Sequence, residues 1–470
     1  MIPELLLHWA GLHTLLAALG LGIYLIGSST KRQRRHPSAA IAWVVSLSLL
    51  PYVALPLYLL IGNRKIARGL TRRGRPESIV RDAGPSTPAQ RFQQLATAMA
   101  LPAASAYEHL AIHEDGGEAL RALRAVIVSA TRTLDLCTFL LGKDALGAEI
   151  AALLASRARD GVRVRLMIDG IGVYLGGYPD LKGMAAAGVQ VQLFVSPLRS
   201  ALPGRTNLRN HRKMVIADGA RLWTGGRNLA AEYFVGDPFA RPRDKPWLDL
   251  SFDLGGDLAR QAADRFSQDW AFATGSRHVA RRRAIVLPSP VGAPSAQLIA
   301  SGPDQADDTV YSLLISGCFT AQSRITAVTP YFVPDGTLLM ALTLAARRGV
   351  AVDLVIPRKS NHRLADMARH PALRDMADAG ARIWLVPEMI HAKVVLIDDQ
   401  IALAGSANLD ERSLFLNYEM MLAFYDVADV DRFSQWIERQ RQGAQPYRSH
   451  APGALREFAE GLIRWLAFQL

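Results

Sequence analysis

The sequence predicts an α/β protein: two homologous domains, each a mixed β-sheet flanked by helices, after an N-terminal pair of membrane helices. Three observations predict it. Two long apolar stretches open the chain, a helix-glycine-strand pattern then occurs twice, and each occurrence ends in the same constellation of polar residues. At 470 residues the chain accommodates two or three domains, each able to bury its own core.

The apolar stretches run from Leu5 to Gly27, interrupted by His8, His13 and Thr14, and from Ala39 to Gly62 around Pro51 and Pro56. Each reaches the roughly 20 residues that cross a bilayer. A cleavable signal peptide carries its positive charge first. Here the basic run Lys31-Arg32-Gln33-Arg34-Arg35 comes after the stretch, so the segment is expected to be retained. Trp43, Tyr52 and Tyr58 read as interface anchors. The second stretch is basic at both ends, with Arg64, Lys65, Arg68, Arg72, Arg73 and Arg75 beyond it, so the positive-inside rule points both ways. A membrane-dipping hairpin is the alternative to two spans.

The balance of 54 Lys+Arg against 42 Asp+Glu leaves a formal charge of +12, which suits polyanionic partners, either nucleic acid or an anionic membrane face. The apolar stretches favour the membrane. The two cysteines, Cys137 and Cys318, sit in apolar segments as small buried thiols, which excludes a disulfide framework and a cysteine metal site.

By composition, residues 1–62 form the anchor, 63–107 a linker rich in Pro, Arg and Ser, 108–285 the first domain and 286–470 the second. In the first domain, GAEIAALLASRARDG leads into alternating Val162, Val164, Leu166 and Ile168. In the second, TLLMALTLAARRG leads into Val350, Val352, Leu354 and Ile356. A second helix-to-strand junction follows in each half at Gly188 and Gly380.

Each half then presents one constellation. The first reads HRKMVIADGARLWTGGRN, with His211, Lys213, Asp218, Gly225 and Asn228. The second reads HAKVVLIDDQIALAGSAN, with His391, Lys393, Asp398, Gly405, Ser406 and Asn408. From each His, Lys lies at +2, Asp at +7, Gly at +14 and Asn at +17. Along a strand, residues two apart share a face, so an imidazole and a fixed cation project together. A tetrahedral phosphodiester needs both, because negative charge on its oxygens grows in the transition state, where Lys and Asn donors stabilise it. Gly225 and Gly405 would let backbone approach a phosphate, and Asp218 and Asp398 are expected to orient or stabilise an imidazole. A lone H-x-K is usually a solvated edge and a lone Asp-Gly a turn; duplication in register reverses that judgement. No metal or other cofactor is expected, since Lys is not a normal zinc ligand and no metal-spaced set accompanies the histidines. Asp249 and Glu419, each two residues after Trp247 or Asn417, are either partners that fix a histidine tautomer or ordinary strand-end acids.

These two blocks resemble the paired H-x-K-x4-D motifs of the phospholipase D superfamily. Within it, RNHRKMVIADG with TGGRNLAAEYF, TPYFVPDGTLLMALTLAARRGV, and IHAKVVLIDD with GSANLDERSLFLNYE are similar to bacterial cardiolipin synthases over nearly the whole chain. The resemblance implies two phospholipase D-like domains and a phosphatidyl transfer from one phosphatidylglycerol to another through a phosphatidyl-histidine. It implies His211 as nucleophile and His391 as general acid/base, with Lys213, Lys393, Asn228, Asn408 and Ser406 binding the phosphate. It also implies anionic membrane lipid as partner, no nucleic acid, and a multi-pass location in the bacterial inner membrane with the catalytic domains in the cytoplasm. Leu248 stands where that family usually has Arg between Trp and Asp. The rival readings are a hydrolase delivering the same intermediate to water, a nuclease of the superfamily, and a non-catalytic scaffold. The C-terminal ALREFAEGLIRWLAFQL reads either as a helix on the catalytic core or as one lying on lipid.

Overall fold

A computed structural model of the chain describes residues 2–30, 37–61, 87–195, 207–236, 245–276, 294–305, 307–453 and 460. The N-terminal region forms three helices, α1 Ile2–Thr30, α2 Pro37–Leu49 and α3 Pro51–Ile61. The second apolar stretch breaks at Leu50, because Pro51 disfavours helical backbone in the residue before it and has no N–H to continue the ladder. Its pieces of 13 and 11 residues measure about 20 and 16 Å at the helical rise, short of a hydrocarbon core about 30 Å thick. Among the described residues no helix is long and apolar enough to cross a membrane, so the expected pair of spanning helices is not found there. The three helices pack together instead around Tyr24, Leu47, Ala54 and Tyr58. Trp43 and Tyr58, expected as interface anchors, form an edge-to-face pair inside this bundle at 5.1 Å. Leucines and isoleucines such as Leu15, Ile26 and Leu49 remain exposed on its outside. The basic runs flanking the second stretch, most of the linker and nearly all of the C-terminal segment lie outside the described residues. The linker's last part forms α4 Pro88–Ala98, closed by a Thr87/Gln90 capping box, and Phe92 and Ala96 join the core of the second half.

The first half contributes β1 Ser105–His113, β2 Thr133–Thr138, β3 Arg163–Asp169, β4 Gln190–Phe194, β5 Met214–Ala217, β6 Arg221–Gly225 and β7 Ser251–Gly256. The second contributes β8 Ser295–Ser301, β9 Arg324–Val328, β10 Phe332–Val333, β11 Ala351–Pro357, β12 Arg382–Val386, β13 Val394–Ile397, β14 Ile401–Gly405, β15 Leu409–Asp410, β16 Glu419–Phe424 and β17 Gln445–Pro446. In the first sheet β2, β3 and β4 are parallel, and β5, β6, β7 and β1 continue it antiparallel. The second repeats this plan with β9, β11 and β12 parallel, then β13, β14, β16 and β8 antiparallel. The edge strands β1 and β8 pair at Ser105 with Ala296 and Ala106 with Ser295, which joins both sheets into one ladder.

The helix-to-strand junctions fall where the sequence places them. Helices Ala145–Arg159, Leu181–Ala186, Gly336–Arg347 and His370–Asp378 are followed by Gly161, Gly188, Gly349 and Gly380, all at φ between 85° and 96°. That left-handed backbone strains any L side chain, so glycine is needed there to turn helix into strand. Each sheet's outer face is covered by its own helices. The inner faces share one apolar cluster with helices Asp257–Thr274 and Val427–Gln442, among them Phe252, Phe266, Phe424, Phe433 and Trp436. The halves thus pack face to face over a common core, with Cys137 in it and Cys318 in the second half's outer cluster, both buried and free.

Candidate active site

Each H-x-K lies immediately before a strand, in backbone held extended by the opposite repeat. Asn210 bridges Tyr418, with His211 N donating to Tyr418 O at 2.9 Å and Tyr418 N to Arg209 O at 2.8 Å. The mirror arrangement bridges Ile390 to Leu248, with His391 N donating to Leu248 O at 2.6 Å and Leu248 N to Met389 O at 2.9 Å. Leu248 and Tyr418 therefore occupy matched places, and the backbone of each does the work there.

This exchange of strands crosses the carboxylates. Asp249, from the first half, accepts through Oδ2 from Nδ1 of His391 at 2.7 Å. Glu419, from the second half, lies 3.5 Å from Nδ1 of His211. Both acids are fully buried, Asp249 within hydrogen-bond distance of the imidazole of the other repeat and Glu419 close to it. The pairs differ in texture. His391 sits between the rings of Tyr233 at 5.0 Å and Trp247 at 5.5 Å, and only 9 % of its side chain is exposed. His211 lies against Phe139 at 4.3 Å, keeps 22 % exposure, and meets Asn417 Nδ2 at 3.3 Å. Glu419 is also held by Ser413 Oγ at 2.7 Å and Ser406 Oγ at 2.6 Å.

Ser406 thus serves the carboxylate. Its counterpart Gly226 has no room for a side chain, since a Cβ would come within 2.1 Å of Asp249 Oδ1. The shorter acid faces glycine and the longer one faces serine. Gly225 and Gly405 correct the expectation of a phosphate approach. A Cβ there would meet Leu250 O at 2.3 Å and Met420 O at 2.2 Å, so both glycines admit the neighbouring strand.

Asp218 and Asp398 are a second correction, since neither orients an imidazole. Each lies seven residues along a strand from its histidine, roughly 20 Å at the extended rise. Asp218 accepts from the N–H groups of Thr131, Arg132 and Thr133, and Asp398 from those of Gln322, Ser323 and Arg324. Both sit at left-handed φ, 55° and 51°, in the hairpin turns that close β5–β6 and β13–β14. An Asp tolerates that backbone and ties the turn to the start of the next strand over.

The lysines are inside the site. Lys213 Nζ donates to His211 O at 2.7 Å, and Lys393 Nζ donates to His391 O and lies 3.0 Å from both ring nitrogens. Burial, then the charges of Lys213, Arg412, Lys393 and His391, holds the His211 pKa well below its ordinary 6.5. Burial and Lys393 bring His391 to about 4 against the opposing pull of Asp249, and burial brings Lys393 to about 7. Burial pushes Glu419 up to about 7. Burial likewise opposes ionisation of Asp249, but His391, Lys393 and Arg227 outweigh it and hold the carboxyl low. Both imidazoles are therefore held toward their neutral form beside two buried ammonium groups, an arrangement that suits an anion.

Asn228 and Asn408 are buried at matched places, and Oδ1 of each has no hydrogen-bond partner among the described residues. Sequence reasoning did not find Phe139, Tyr233 or Ser413, which shape the two histidine environments. Tyr233 and Ser413 do stand at the same offset, 22, from His211 and His391, so aligning the repeats beyond the Asn would have marked the position. Among the described residues no group of His, Cys, Asp or Glu is arranged to hold a metal ion.

The family model described as "Cardiolipin synthase, PLD-like domain" matches residues 123–270 and 315–441. The chain is 31% identical over 424 residues to a cardiolipin synthase A of Pseudomonas entomophila, covering 86% of each chain. It is 29% identical over 449 residues to a cardiolipin synthase of Geobacillus kaustophilus, covering 88% of this chain and 87% of that one. The fold is similar to that of a phosphatidylserine synthase of Haemophilus influenzae, with a TM-score of 0.62 at 14% identity, over 81% of this chain and all of that one. With the family model matching more than half of the chain in two segments, one in each of the halves that build this site, the chain belongs to the cardiolipin synthase family of phospholipase D-like proteins.

Proposed function

We propose that the chain is a cardiolipin synthase, a phosphatidyltransferase that joins two phosphatidylglycerol molecules into cardiolipin and glycerol. The crossed pairs Asp249–His391 and Glu419–His211, in one cation-rich cleft, are the observation that carries this reading. His211 Nε2 attacks the phosphorus of the first phosphatidylglycerol, the bond from phosphorus to the glycerol oxygen breaks, and His391 passes a proton to that oxygen. His391 then takes the proton of the second lipid's hydroxyl, whose oxygen attacks the phosphorus and expels His211. Family likeness favours His211 as the nucleophile. The direct 2.7 Å contact of His391 with Asp249 supports His391 as the group that carries the proton, since a buried imidazolium needs its carboxylate.

An arriving phosphodiester adds negative charge beside both imidazoles and raises their pKa values toward neutrality. Lys213 and Lys393 neutralise the equatorial oxygens as charge grows on them. The unpartnered Oδ1 atoms of Asn228 and Asn408 support headgroup recognition, because a glycerol hydroxyl satisfies a buried acceptor of this kind. Asp218 and Asp398 hold the two hairpins and take no part in the chemistry.

The same reading divides the chain into a membrane anchor over 1–62, a linker over 63–107, and phospholipase D-like domains over 108–285 and 286–470. The exposed leucines and isoleucines of α1, α2 and α3 support a helical hairpin embedded in the membrane that supplies the substrate. The test supplies purified full-length protein with phosphatidylglycerol in mixed micelles and follows products by mass spectrometry. Cardiolipin with matched glycerol release, abolished in His211→Ala, is the expected result. Phosphatidic acid alone makes the chain a hydrolase, and no lipid product refutes the reading.

A further inference from the structure

Two short helices stand at matched places beside the cleft, and both turn their larger apolar side chains outward. In the first repeat β3 ends at Asp169, which caps the helix Gly170–Leu175 through Ile171 N and Gly172 N and accepts from Asn210 N at 2.8 Å with its other oxygen. The helix lies close on the segment that carries Phe139, since a Cβ on Gly172 would meet Phe139 O at 1.6 Å and one on Gly176 would meet Leu141 O at 2.2 Å. Leu141 in turn bridges Leu229, the neighbour of Asn228. In the second repeat the helix Arg363–Ala368 follows β11 and packs through Ala365 and Ala368 on Val333 of β10. There β10 pairs with β15 at Phe332 and Leu409, the neighbour of Asn408. Each helix is therefore one layer out from the asparagine of its own repeat.

The outward residues are not those that a helix facing water exposes. Arg363–Ala368 buries two alanines three residues apart and leaves Leu364 and Met367, at the same spacing, outside. Gly170–Leu175 buries Gly172 and Val173 and leaves Tyr174 and Leu175 outside, joined by Tyr178 in the turn that follows. The rings of Tyr174 and Tyr178 meet edge to face at 5.6 Å. All five side chains are between 43 % and 63 % exposed, and single scattered surface residues would not gather on both lips of one cleft. Exposed cations stand with them, Lys143 and Lys182 by the first group and Arg358, Lys359 and Arg363 by the second. The nearby acids serve the fold: Asp180 caps Leu181–Ala186 through Gly183 N, and Asp366 accepts from Ser360 N and pairs with Arg369. Tyrosine and large aliphatic side chains framed by Lys and Arg match the boundary between acyl chains and anionic headgroups.

We propose that these two lips dock the catalytic halves onto the surface of an anionic phospholipid bilayer, with Tyr174, Leu175, Tyr178, Leu364 and Met367 entering the acyl boundary on either side of the cleft. The inference rests on the reading of the substrate as a membrane phospholipid. A lipid then brings its phosphate from the headgroup layer to the histidines while its acyl chains stay in the bilayer. The docking face is made by the catalytic halves and not by α1, α2 or α3, and it sets which way the cleft points.

The test places the full-length protein in vesicles of phosphatidylglycerol and phosphatidylcholine whose acyl chains carry a fluorescence quencher. Cys137 and Cys318 are buried, so a thiol-reactive fluorophore reports the one cysteine introduced by Tyr174→Cys, Leu364→Cys or Val128→Cys. Val128 is as exposed as the lip residues, but it lies near the end of the helix Gly116–Ser129, just before β2 begins and so at the far end of that strand from Phe139 and the histidines. Labels at 174 and 364 should be quenched, and the label at 128 should keep its emission. Quenching at neither lip, as a second copy of the chain covering them would give, or at one lip alone, or equally at all three positions, overturns the proposal. Tyr174→Ser combined with Leu364→Ser should also lower cardiolipin formation in vesicles by about 10-fold, the value of burying one large apolar side chain, and leave turnover of monomeric short-chain phosphatidylglycerol near the wild-type rate. Equal loss on both substrates, or loss on neither, counts against it in the same way. If the wild-type protein forms no cardiolipin, the transferase reading fails by itself, because the quenching is read without turnover and still decides the docking.

Discussion

Replacing Asp398 by alanine separates a structural role from a catalytic one. Asp398 is 5 % exposed, and its Oδ1 accepts from Ser323 N at 2.8 Å, Ser323 Oγ at 2.9 Å, Arg324 N at 3.0 Å and Gln322 N at 3.1 Å. Burial works against the charged form, but those N–H donors outweigh it and hold the carboxyl below its ordinary 3.8. Truncation leaves the donors without an acceptor and puts alanine at φ 51°. Together these cost about 3–4 kcal/mol, taking part of the desolvation penalty for each orphaned N–H and the left-handed strain of a residue with Cβ. For a domain of this size that corresponds to a fall in melting temperature of roughly 5–15 °C, read by calorimetry or by intrinsic fluorescence. Asn keeps Oδ1 and tolerates the backbone, so Asp398→Asn should lose less than half as much. The folded pKa is depressed, so this stability is present above the unfolded value and is lost as pH falls through the folded one. Specific activity of folded Asp398→Ala, measured well below its melting point, should stay within about threefold of wild type. A variant that melts like wild type but loses activity by orders of magnitude would sink the structural assignment.

Three further outcomes follow from the same geometry. Asp249→Asn keeps the shape of the His391 contact but not its charge, and should lower kcat by about 10²–10⁴-fold while melting near wild type. Gly226→Ala pushes a methyl into Asp249 Oδ1, and should cost at least about tenfold in kcat, whereas Ser406→Ala, which removes one donor from Glu419, should cost less. Glu419 has a folded pKa of about 7 against an ordinary 4.5, so the folded state binds the extra proton between those values. Wild type should therefore lose stability relative to Glu419→Gln as pH rises from 4.5 toward 7, and parallel denaturation curves across that window would contradict the assignment.

Much of the architecture was legible because it is written locally. The helix-glycine-strand junctions depend on periodicity and on left-handed glycines at 161, 188, 349 and 380, and both are properties of a few adjacent residues. The duplicated His, Lys and Asn were legible because repetition at one spacing is a pattern within the chain. The N-terminal stretches illustrate the limit of the same reasoning. Apolar length alone does not register that Pro51 divides the second stretch, or that Trp43 and Tyr58 prefer each other to an interface.

Asp218 and Asp398 show why a motif's spacing does not give a role. They recur as faithfully as the histidines, yet a strand carries them away from the site and into a turn whose partners lie 74 to 87 residues off in sequence. The crossing of the acids is a product of tertiary structure alone. Asp249 and Glu419 follow their own histidines in sequence, but the bridges Asn210–Tyr418 and Leu248–Ile390 carry each to the other repeat. The sequence by itself determined the α/β repeats, the paired histidines and the cation surplus, since composition and periodicity act over short range. Only the tertiary structure decided which acid serves which imidazole and that the glycines admit strands, because those depend on two distant segments sharing one backbone ladder.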